Sequence, residues 1–356
     1  MNTATARLAR ARKTRRATFT AALGLVAAFL LVAGALDAEV KVLFWPRIAV
    51  VGGGRFVIPD PLLGYGPRPD ARARVTWRRL GRTIYDARYA IDADGYRRTG
   101  VSAAPKAETT VFLGDSYTFG DGLNDADTLP QRFADVTGER VVNAAFSGYG
   151  PGQALRLIQS GRPARLFGDG RRRFVFAVSD LDLGRSDSRS LLHRVGTPHY
   201  ELANGTARFI GPFHPGWRGT LVDFASRSAI VAGIRDLSLA APSPGGAPLF
   251  GAMMSAARDA AAARHRAGFL VLLWDEPIWQ DGGDPGKRRR RQAIVDGMAR
   301  EMARRGVAFV RVSTLVPDYT AHMGAYVMGG SGHPSALLDR RLARGLATWL
   351  EQERGR

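Results

Sequence analysis

The sequence of 356 residues contains no cysteine. This absence excludes a disulfide framework, a thiolate metal site and a cysteine nucleophile together. The six histidines show no metal-ligand spacing such as H-x-x-x-H. We therefore expect neither a metal nor any other cofactor. Acidic residues are also few, 32 against 51 lysines and arginines, which gives a formal net charge of +19.

The positive charge does not by itself indicate a nucleic-acid partner. Much of it is concentrated in short runs at residues 7–16, 171–173 and 287–291. No zinc-finger spacing or aromatic RNA-binding motif accompanies these runs, so no nucleic-acid partner is expected. Attraction to anionic lipid or to an acidic glycan fits the charge better.

The longest apolar run lies close to the N-terminus. Residues 1–16 form a basic tail without acidic residues, and residues 17–36 form an uncharged, mainly apolar segment. As a helix, residues 17–35 of this segment are roughly 28 Å long, about the thickness of the bilayer hydrocarbon. Basic residues before it and Asp37 after it predict a single-pass signal-anchor of the cytoplasmic membrane, with the N-terminus in the cytoplasm and the body periplasmic or otherwise extracytoplasmic. A cleaved signal peptide stays open, because small residues near 35–38 offer a cleavage site that would release a secreted form.

Two regions follow this segment. Residues 40–107 read as a β-rich lead-in of two or three short strands, with turns at Gly81 and at Asp94-Gly95. Within residues 108–356, five short apolar strands alternate with helical patterns, which predicts a three-layer α/β/α sandwich around a parallel, flavodoxin-like sheet. Residues 185–245 fit this alternation poorly and are predicted to be an insertion of loops and short helices. The predicted strands are Thr109–Leu113, Arg140–Ala144, Arg173–Val178, Ala267–Trp274 and Gly306–Val312.

Ser116 lies just after the first of these strands, in a glycine-flanked turn that leads toward a helix. Ligands of open α/β sheets bind at the carboxyl ends of the strands, and the N–H groups of such a turn can stabilise an oxyanion. Asp115 fits a turn or helix-cap residue better than a catalytic one. Ser116 is therefore a candidate nucleophile.

Three segments carry a resemblance to a known family. VFLGDSYTFGDGLNDADTLP, residues 111–130, resembles the first block of the SGNH/GDSL hydrolases, and the preceding segment from GYGPRPDARARV to YAIDADGYR resembles the stretch before that block in exported or membrane-anchored bacterial members. NAAFSGYG, residues 143–150, resembles the second block, and GHPS, residues 332–335, resembles the last. The resemblance implies that Ser116 is the nucleophile, that Gly148 donates an N–H to the oxyanion hole and that His333 is the general base.

Two positions depart from the family pattern. Ser179 stands where the third block has an asparagine whose side chain stabilises the oxyanion; a serine hydroxyl can still donate, but it is shorter. Gly330 and Ser331 stand where the family places an aspartate two or three residues before the histidine. The triad is thus inferred only as a Ser116–His333 dyad, with a backbone carbonyl or an acid from elsewhere left to orient the imidazole. Acids that follow predicted strands are Asp182, Asp187, Asp275 and Glu276.

The resemblance implies a serine ester hydrolase that acts outside the cytoplasmic membrane and removes acyl groups, chiefly acetyl, from carbohydrates or small esters. One alternative is an O-acyltransferase for an envelope polysaccharide. Another, suggested by the two replaced positions, is a catalytically weakened glycan-binding or scaffold protein. Trp274 and Trp279 are candidates either for lining a sugar groove or for packing in the core. The sequence predicts no oligomeric state.

Overall fold

The computed structural model describes residues 32, 34–36, 46–79, 81–100, 106–186, 196–213, 217, 246–275 and 285–355. The predicted membrane segment lies almost wholly outside these ranges, although residues 32 and 34–36 are helical. Within the described ranges, no helix is both long enough and apolar enough to cross a membrane. The anchor at residues 17–36 stays a prediction.

The lead-in forms five strands, where the sequence predicted two or three. They are β1 (Arg47–Val50), β2 (Val57–Asp60), β3 (Gly64–Pro67), β4 (Arg72–Arg79) and β5 (Arg82–Ala90). Strands β1, β4 and β5 make one antiparallel sheet, and β2 pairs with β3. The predicted turn at Gly81 is confirmed between β4 and β5. Strands β1 to β3 are four residues each, too short for alternation to show them in the sequence.

A five-stranded parallel sheet forms the centre of the molecule, as predicted. The remaining strands are β6 (Lys106–Leu113), β7 (Glu139–Asn143), β8 (Arg172–Val178), β9 (Pro198–Ala203), β10 (Thr206–Pro212), β11 (Gly268–Leu273) and β12 (Phe309–Arg311). The order in the central sheet is β12-β11-β8-β6-β7, with every pair parallel. Its last strand is shorter than predicted, because a helix already begins at Val312.

Helices cover both faces of this sheet. They are α1 (Ser116–Phe119), α2 (Leu129–Thr137), α3 (Pro151–Gln159), α4 (Leu181–Ser186), α5 (Gly246–His265), α6 (Pro285–Arg304), α7 (Val312–Leu315), α8 (Met323–Tyr326) and α9 (Ala336–Arg354). Short 3-10 turns lie at Asp125–Asp127 and Arg162–Leu166.

Alternation along the strands divides the core into two layers. In β8, Phe174 and Phe176 belong to the cluster that contains residues of α3, α5 and α6. Val175 and Ala177, the residues between and after them, belong to the cluster that contains residues of α2 and α9. Successive side chains of a strand point to opposite faces, so a strand buried on both faces reads as a continuous apolar run. The central sheet and the helices on its two faces therefore form a three-layer α/β/α sandwich.

The prediction of loops and short helices for residues 185–245 is wrong at residues 198–212. Strands β9 and β10 form an antiparallel hairpin there. Its turn is Asn204-Gly205, with φ of 49° and 76°. Asn-Gly is the preferred pair for a two-residue hairpin turn, since both positions need a positive φ. This local signal was present in the sequence. Residues 187–195, 214–216 and 218–245 lie outside the described ranges.

Candidate active site

Ser116 is the first residue of α1, three residues after β6 ends at Leu113. Gly114 shapes the turn: its φ is +150°, and a Cβ there would lie 2.5 Å from Oγ1 of Thr118. Asp115 caps α1, because its carboxylate accepts the N–H of Tyr117 at 3.0 Å. Every residue from 111 to 120 is buried except Ser116, which is half-exposed. The turn therefore presents Ser116 alone at the carboxyl edge of the sheet.

A buried network of ion pairs stabilises this turn. The guanidinium of Arg185 donates to Asp115 at 2.6 Å and to Asp182 at 3.3 Å. Burial raises the pKa of Asp182 to about 7, and the positive charge of Arg185 opposes that rise. The predicted role of Asp115 as a cap is confirmed, and the cap is itself held by an ion pair.

Gly148 lies in a second turn beside the first. The N–H of Phe146 donates to the carbonyl of Gly114 at 3.2 Å, which joins the two turns. Gly148 is half-exposed and has a φ of +80°, a conformation that favours glycine. Within the described ranges its N–H has no hydrogen-bond partner. The N–H of Ser116 is also unpaired there, since the first residue of a helix has no acceptor within the helix.

The lead-in holds the second turn in place. The hydroxyl of Tyr65, in β3, donates to the carbonyl of Ser147 at 3.2 Å. In return, the hydroxyl of Tyr149 donates to the carbonyl of Tyr65 at 2.6 Å. The lead-in therefore contributes to the geometry of the site as well as to the core.

His333 reaches the same region from the loop between α8 and α9. Its ring stands edge-on to the ring of Tyr117, with 5.5 Å between the centroids and an interplanar angle of 80°. Nδ1 lies 3.1 Å from the carbonyl oxygen of Ser331, and the His333 N–H donates to Oγ of Ser331 at 3.2 Å. The tautomer protonated on Nδ1 satisfies that carbonyl and leaves Nε2 able to accept a proton. The structure thus brings His333 beside the residue that follows Ser116.

Ser179, directly after β8, is buried. Its N–H donates to Oδ2 of Asp182 at 2.8 Å, and its hydroxyl lies 3.5 Å from the same oxygen. The hydroxyl contact is at the limit of a hydrogen bond. Ser179 therefore closes the turn into α4.

Four acids were proposed to orient the imidazole of His333. The two that lie within the described residues bind other groups. Asp182 is held by Ser179 and Arg185, and Asp275 accepts the N–H of Ser313 at 3.0 Å. Asp187 and Glu276 lie outside the described residues.

Of the two tryptophans, Trp274 is a core residue. It is 3% exposed and packs edge-on to Tyr117, with 5.2 Å between the ring centroids. Trp279 lies outside the described residues.

Sequence reasoning missed two residues of this region. Asp121 donates its N–H to the carbonyl of Ser116 at 2.9 Å, and its carboxylate accepts the hydroxyl of Ser147 at 2.8 and 2.9 Å. Burial raises the pKa of Asp121, and the positive charge of His333 is the largest opposing influence.

Arg97 is buried and donates to main-chain carbonyls of this loop, two of them those of Phe119 and Leu123 at 2.6 Å each. Asp121 lies inside the block quoted for the resemblance, but nothing in the sequence distinguishes Arg97 from the other arginines.

No metal centre accompanies these residues. In the part of the chain that the structure describes, no group of three or more His, Asp or Glu side chains could hold a metal ion.

Comparison with known proteins gives structural similarities only. No family model and no curated protein matches the chain. A crystal structure of LAE5, an alpha/beta hydrolase enzyme from the metagenome of Lake Arreo, is 16% identical, with 69% of this chain and 95% of that chain covered and a TM-score of 0.41. An acetyl xylan esterase from Geobacillus stearothermophilus is 14% identical over 68% of this chain and 94% of its own, with a TM-score of 0.38. A member of the lipolytic protein G-D-S-L family from Veillonella parvula is 10% identical over 68% and 97%, with a TM-score of 0.35. At these identities and TM-scores the similarities carry no inference about activity.

Proposed function

We propose that this chain is a serine ester hydrolase of the SGNH/GDSL type, with Ser116 as nucleophile and His333 as general base. One observation carries the proposal. Ser116 is the only half-exposed residue of a buried turn at the carboxyl edge of the sheet, and the His333 ring contacts Tyr117 beside it. The fold brings His333 against the residue that follows Ser116, although the two lie more than two hundred positions apart in the chain, at the edge where an α/β sheet binds its ligands.

The mechanism follows the chemistry of an activated serine. Nε2 of His333 takes the proton of Ser116 as Oγ attacks the ester carbonyl, while the Nδ1–H donates to the carbonyl of Ser331. The tetrahedral oxyanion is stabilised by the unpaired N–H groups of Ser116 and Gly148. Collapse releases the alcohol, protonated by His333, and leaves an acyl group on Ser116. Water, deprotonated by His333, then attacks the acyl-enzyme; the bond between the acyl carbon and Oγ breaks, Oγ takes the proton back from His333, and the acid is released.

The oxyanion hole rests on these two main-chain donors. Ser179 is a weaker candidate for a third donor, because its hydroxyl is already 3.5 Å from the Asp182 carboxylate. Gly114 and the Asp115 cap fix the turn that carries Ser116. Main-chain donors in such a fixed turn need little reorientation as the oxyanion forms.

The proposed substrates are acetyl esters of carbohydrates or other small esters outside the cytoplasmic membrane. Support for the location is the basic tail followed by the uncharged segment at residues 17–36. Support for the substrate class is the sequence resemblance together with that location.

Hydrolysis of p-nitrophenyl acetate by the purified chain tests the proposal. We expect turnover by the wild type and a loss of about a thousandfold or more in Ser116→Ala and in His333→Ala. Ser160→Ala is the matched control, because Ser160 is the C-cap residue that follows α3 and its hydroxyl donates to the carbonyl of Leu157 in that helix at 2.7 Å. It should keep wild-type activity. A folded wild type without turnover, or turnover that survives in Ser116→Ala, would contradict the proposal.

A further inference from the structure

Arg97 is a buried arginine that the proposed mechanism does not use. It lies at the end of the lead-in, between β5 and β6, and its side chain is 0% exposed. Its main-chain N–H donates to the carbonyl of Asn143, the last residue of β7, at 3.2 Å. Burying a charge is costly unless the charge is paired and hydrogen-bonded, so the partners of this guanidinium indicate what it does.

The guanidinium of Arg97 binds the part of the chain that follows the nucleophile. Nη1 donates to the carbonyls of Phe119 and Gly120 at 2.6 and 2.7 Å, and Nη2 donates to the carbonyl of Leu123 at 2.6 Å. Nε donates to the carboxylate of Asp125 at 2.9 Å, which supplies the balancing negative charge. The planar guanidinium has five N–H donors in a fixed arrangement, so one side chain can hold several acceptors at once.

Two aromatic rings hold the guanidinium in this position. Its carbon Cζ lies 4.2 Å from the ring centroid of Tyr89, in β5, and 4.8 Å from that of Phe119, in α1. A cation over the face of an aromatic ring is attracted most strongly where water is excluded, and both rings are buried. The hydroxyl of Tyr89 also accepts the N–H of Gly122 at 2.7 Å. Two side chains of the lead-in therefore bind the same loop.

This loop is one hydrogen bond away from Ser116. The carbonyl of Ser116 accepts the N–H of Gly120 at 3.0 Å and the N–H of Asp121 at 2.9 Å. Arg97 binds the carbonyl of the same Gly120. Gly120 and Gly122 both have a φ of +85°, and glycine loses more conformational freedom on folding than any other residue. A loop built on two such glycines needs outside contacts to keep one conformation, and Arg97 supplies three of them.

We propose that Arg97 is a positioning residue: its guanidinium fixes residues 119–123, which in turn hold the main chain of Ser116. The inference rests on the proposed function. Because Ser116 supplies both the attacking Oγ and one of the two oxyanion N–H groups, a small displacement of its main chain weakens both at once. Arg97 acts through the loop and not on the substrate, so it affects the rate of the reaction rather than substrate binding.

Arg97→Met removes the guanidinium and keeps an unbranched side chain. We expect kcat for p-nitrophenyl acetate to fall about a hundredfold, as for a misplacement of about 1 Å, with KM nearly unchanged. A fluorophosphonate adduct on Ser116 should form more slowly by a similar factor and still reach completion, because every molecule keeps its serine. Arg97→Lys keeps the charge but not the planar set of donors, so it should lower kcat less than Arg97→Met does.

Arg173→Met is the matched control. Arg173 is also a buried arginine, with a side chain 9% exposed, and it pairs with Glu139 at 2.6 Å. It lies at the amino end of β8, at the edge of the sheet opposite to Ser116. Both variants break a buried ion pair, so both should lower the melting temperature. At a temperature at which circular dichroism shows both fully folded, only Arg97→Met should lower kcat and the labelling rate.

Hydrogen exchange of the full chain, followed by peptide mass spectrometry, reports the same positioning without turnover. The N–H groups of Gly120 and Asp121 bond to the Ser116 carbonyl, and their exchange depends on how often the loop opens. The peptide that contains them should exchange faster in Arg97→Met than in the wild type. It should exchange at the wild-type rate in Arg173→Met.

Three outcomes would overturn the inference: a wild-type kcat in Arg97→Met, wild-type exchange of the loop in Arg97→Met, or an equal loss of kcat in Arg173→Met. If Arg97→Met does not fold, Arg97→Lys is read in the same way, and wild-type kcat in that variant would overturn the inference. A folded wild type that hydrolyses no ester would contradict the proposed function. Faster exchange in Arg97→Met would in that case still demonstrate that Arg97 fixes the turn of Ser116.

Discussion

Removing Arg185 should weaken the fold in a way that depends on pH. Its side chain is 15% exposed, and it neutralises two carboxylates, Asp115 and Asp182, that are 6% and 2% exposed. Arg185→Met keeps most of the side-chain volume but leaves both acids without a cation. Breaking a buried ion pair on one side costs about 3–5 kcal/mol. For a chain of 356 residues we expect the melting temperature to fall by roughly 4–7 °C at pH 8.

The sign of the pH dependence follows from Asp182. Its pKa is about 7 in the folded chain against 3.8 ordinarily, so the folded state keeps a proton that the unfolded state loses between these values. The contribution of Asp182 to the free energy of unfolding is therefore greatest at low pH and falls as pH rises toward 7. Removal of the guanidinium raises the pKa of Asp182 further. The penalty of Arg185→Met should be larger at pH 8 than near pH 4, where protonation of Asp182 removes one of the two uncompensated charges.

Thermal unfolding at the two pH values measures this penalty. Arg74→Met is the control, because the Arg74–Asp86 pair lies on the surface, with side chains 62% and 37% exposed. It should leave the melting temperature unchanged at both pH values. Arg185→Met as stable as the wild type at pH 8, or equally destabilised at pH 4 and pH 8, would refute the reasoning.

Two further predictions concern single side chains. Ser179→Ala should lower kcat by no more than about tenfold, because the hydroxyl already contacts Asp182; a loss of a hundredfold or more in steady-state assays would instead identify an oxyanion donor. Asp339→Asn should raise the melting temperature at pH 8 and leave it nearly unchanged at pH 4. Burial raises the pKa of Asp339 well above its usual range, so this carboxyl stabilises the fold at low pH and loses that contribution as pH rises. A lower melting temperature for Asp339→Asn at pH 8 would show that the charged form is the one the fold requires.

The central sheet was predictable because its strands are buried on both faces. Strands such as β8 read as unbroken apolar runs, and the helices between them have the matching period. The hairpin at residues 198–212 was missed although Asn204-Gly205 marks its turn. Its alternation is weak, because exposed apolar residues such as Leu202 and Ile210 interrupt the polar face.

The site was predictable only where local sequence carries the chemistry. Ser116 and Gly148 lie in turns that their own glycines define. A backbone carbonyl was one of the two groups left open to orient His333, but its residue could not be foreseen, since every residue has a carbonyl and only the loop geometry directs that of Ser331 to His333. Asp121 likewise depends on a tertiary contact, the hydrogen bond that its carboxylate accepts from the Ser147 hydroxyl. A local sequence pattern can identify a group that a single turn exposes. Groups that tertiary packing brings together can be identified only from the folded structure.

The most direct test of the central claim is covalent labelling of the full chain with a fluorophosphonate, followed by peptide mapping. We expect a single adduct on Oγ of Ser116, absent in Ser116→Ala, present in Ser160→Ala and much slower to form in His333→Ala. No adduct on the folded wild type, or an adduct that persists in Ser116→Ala, would contradict it.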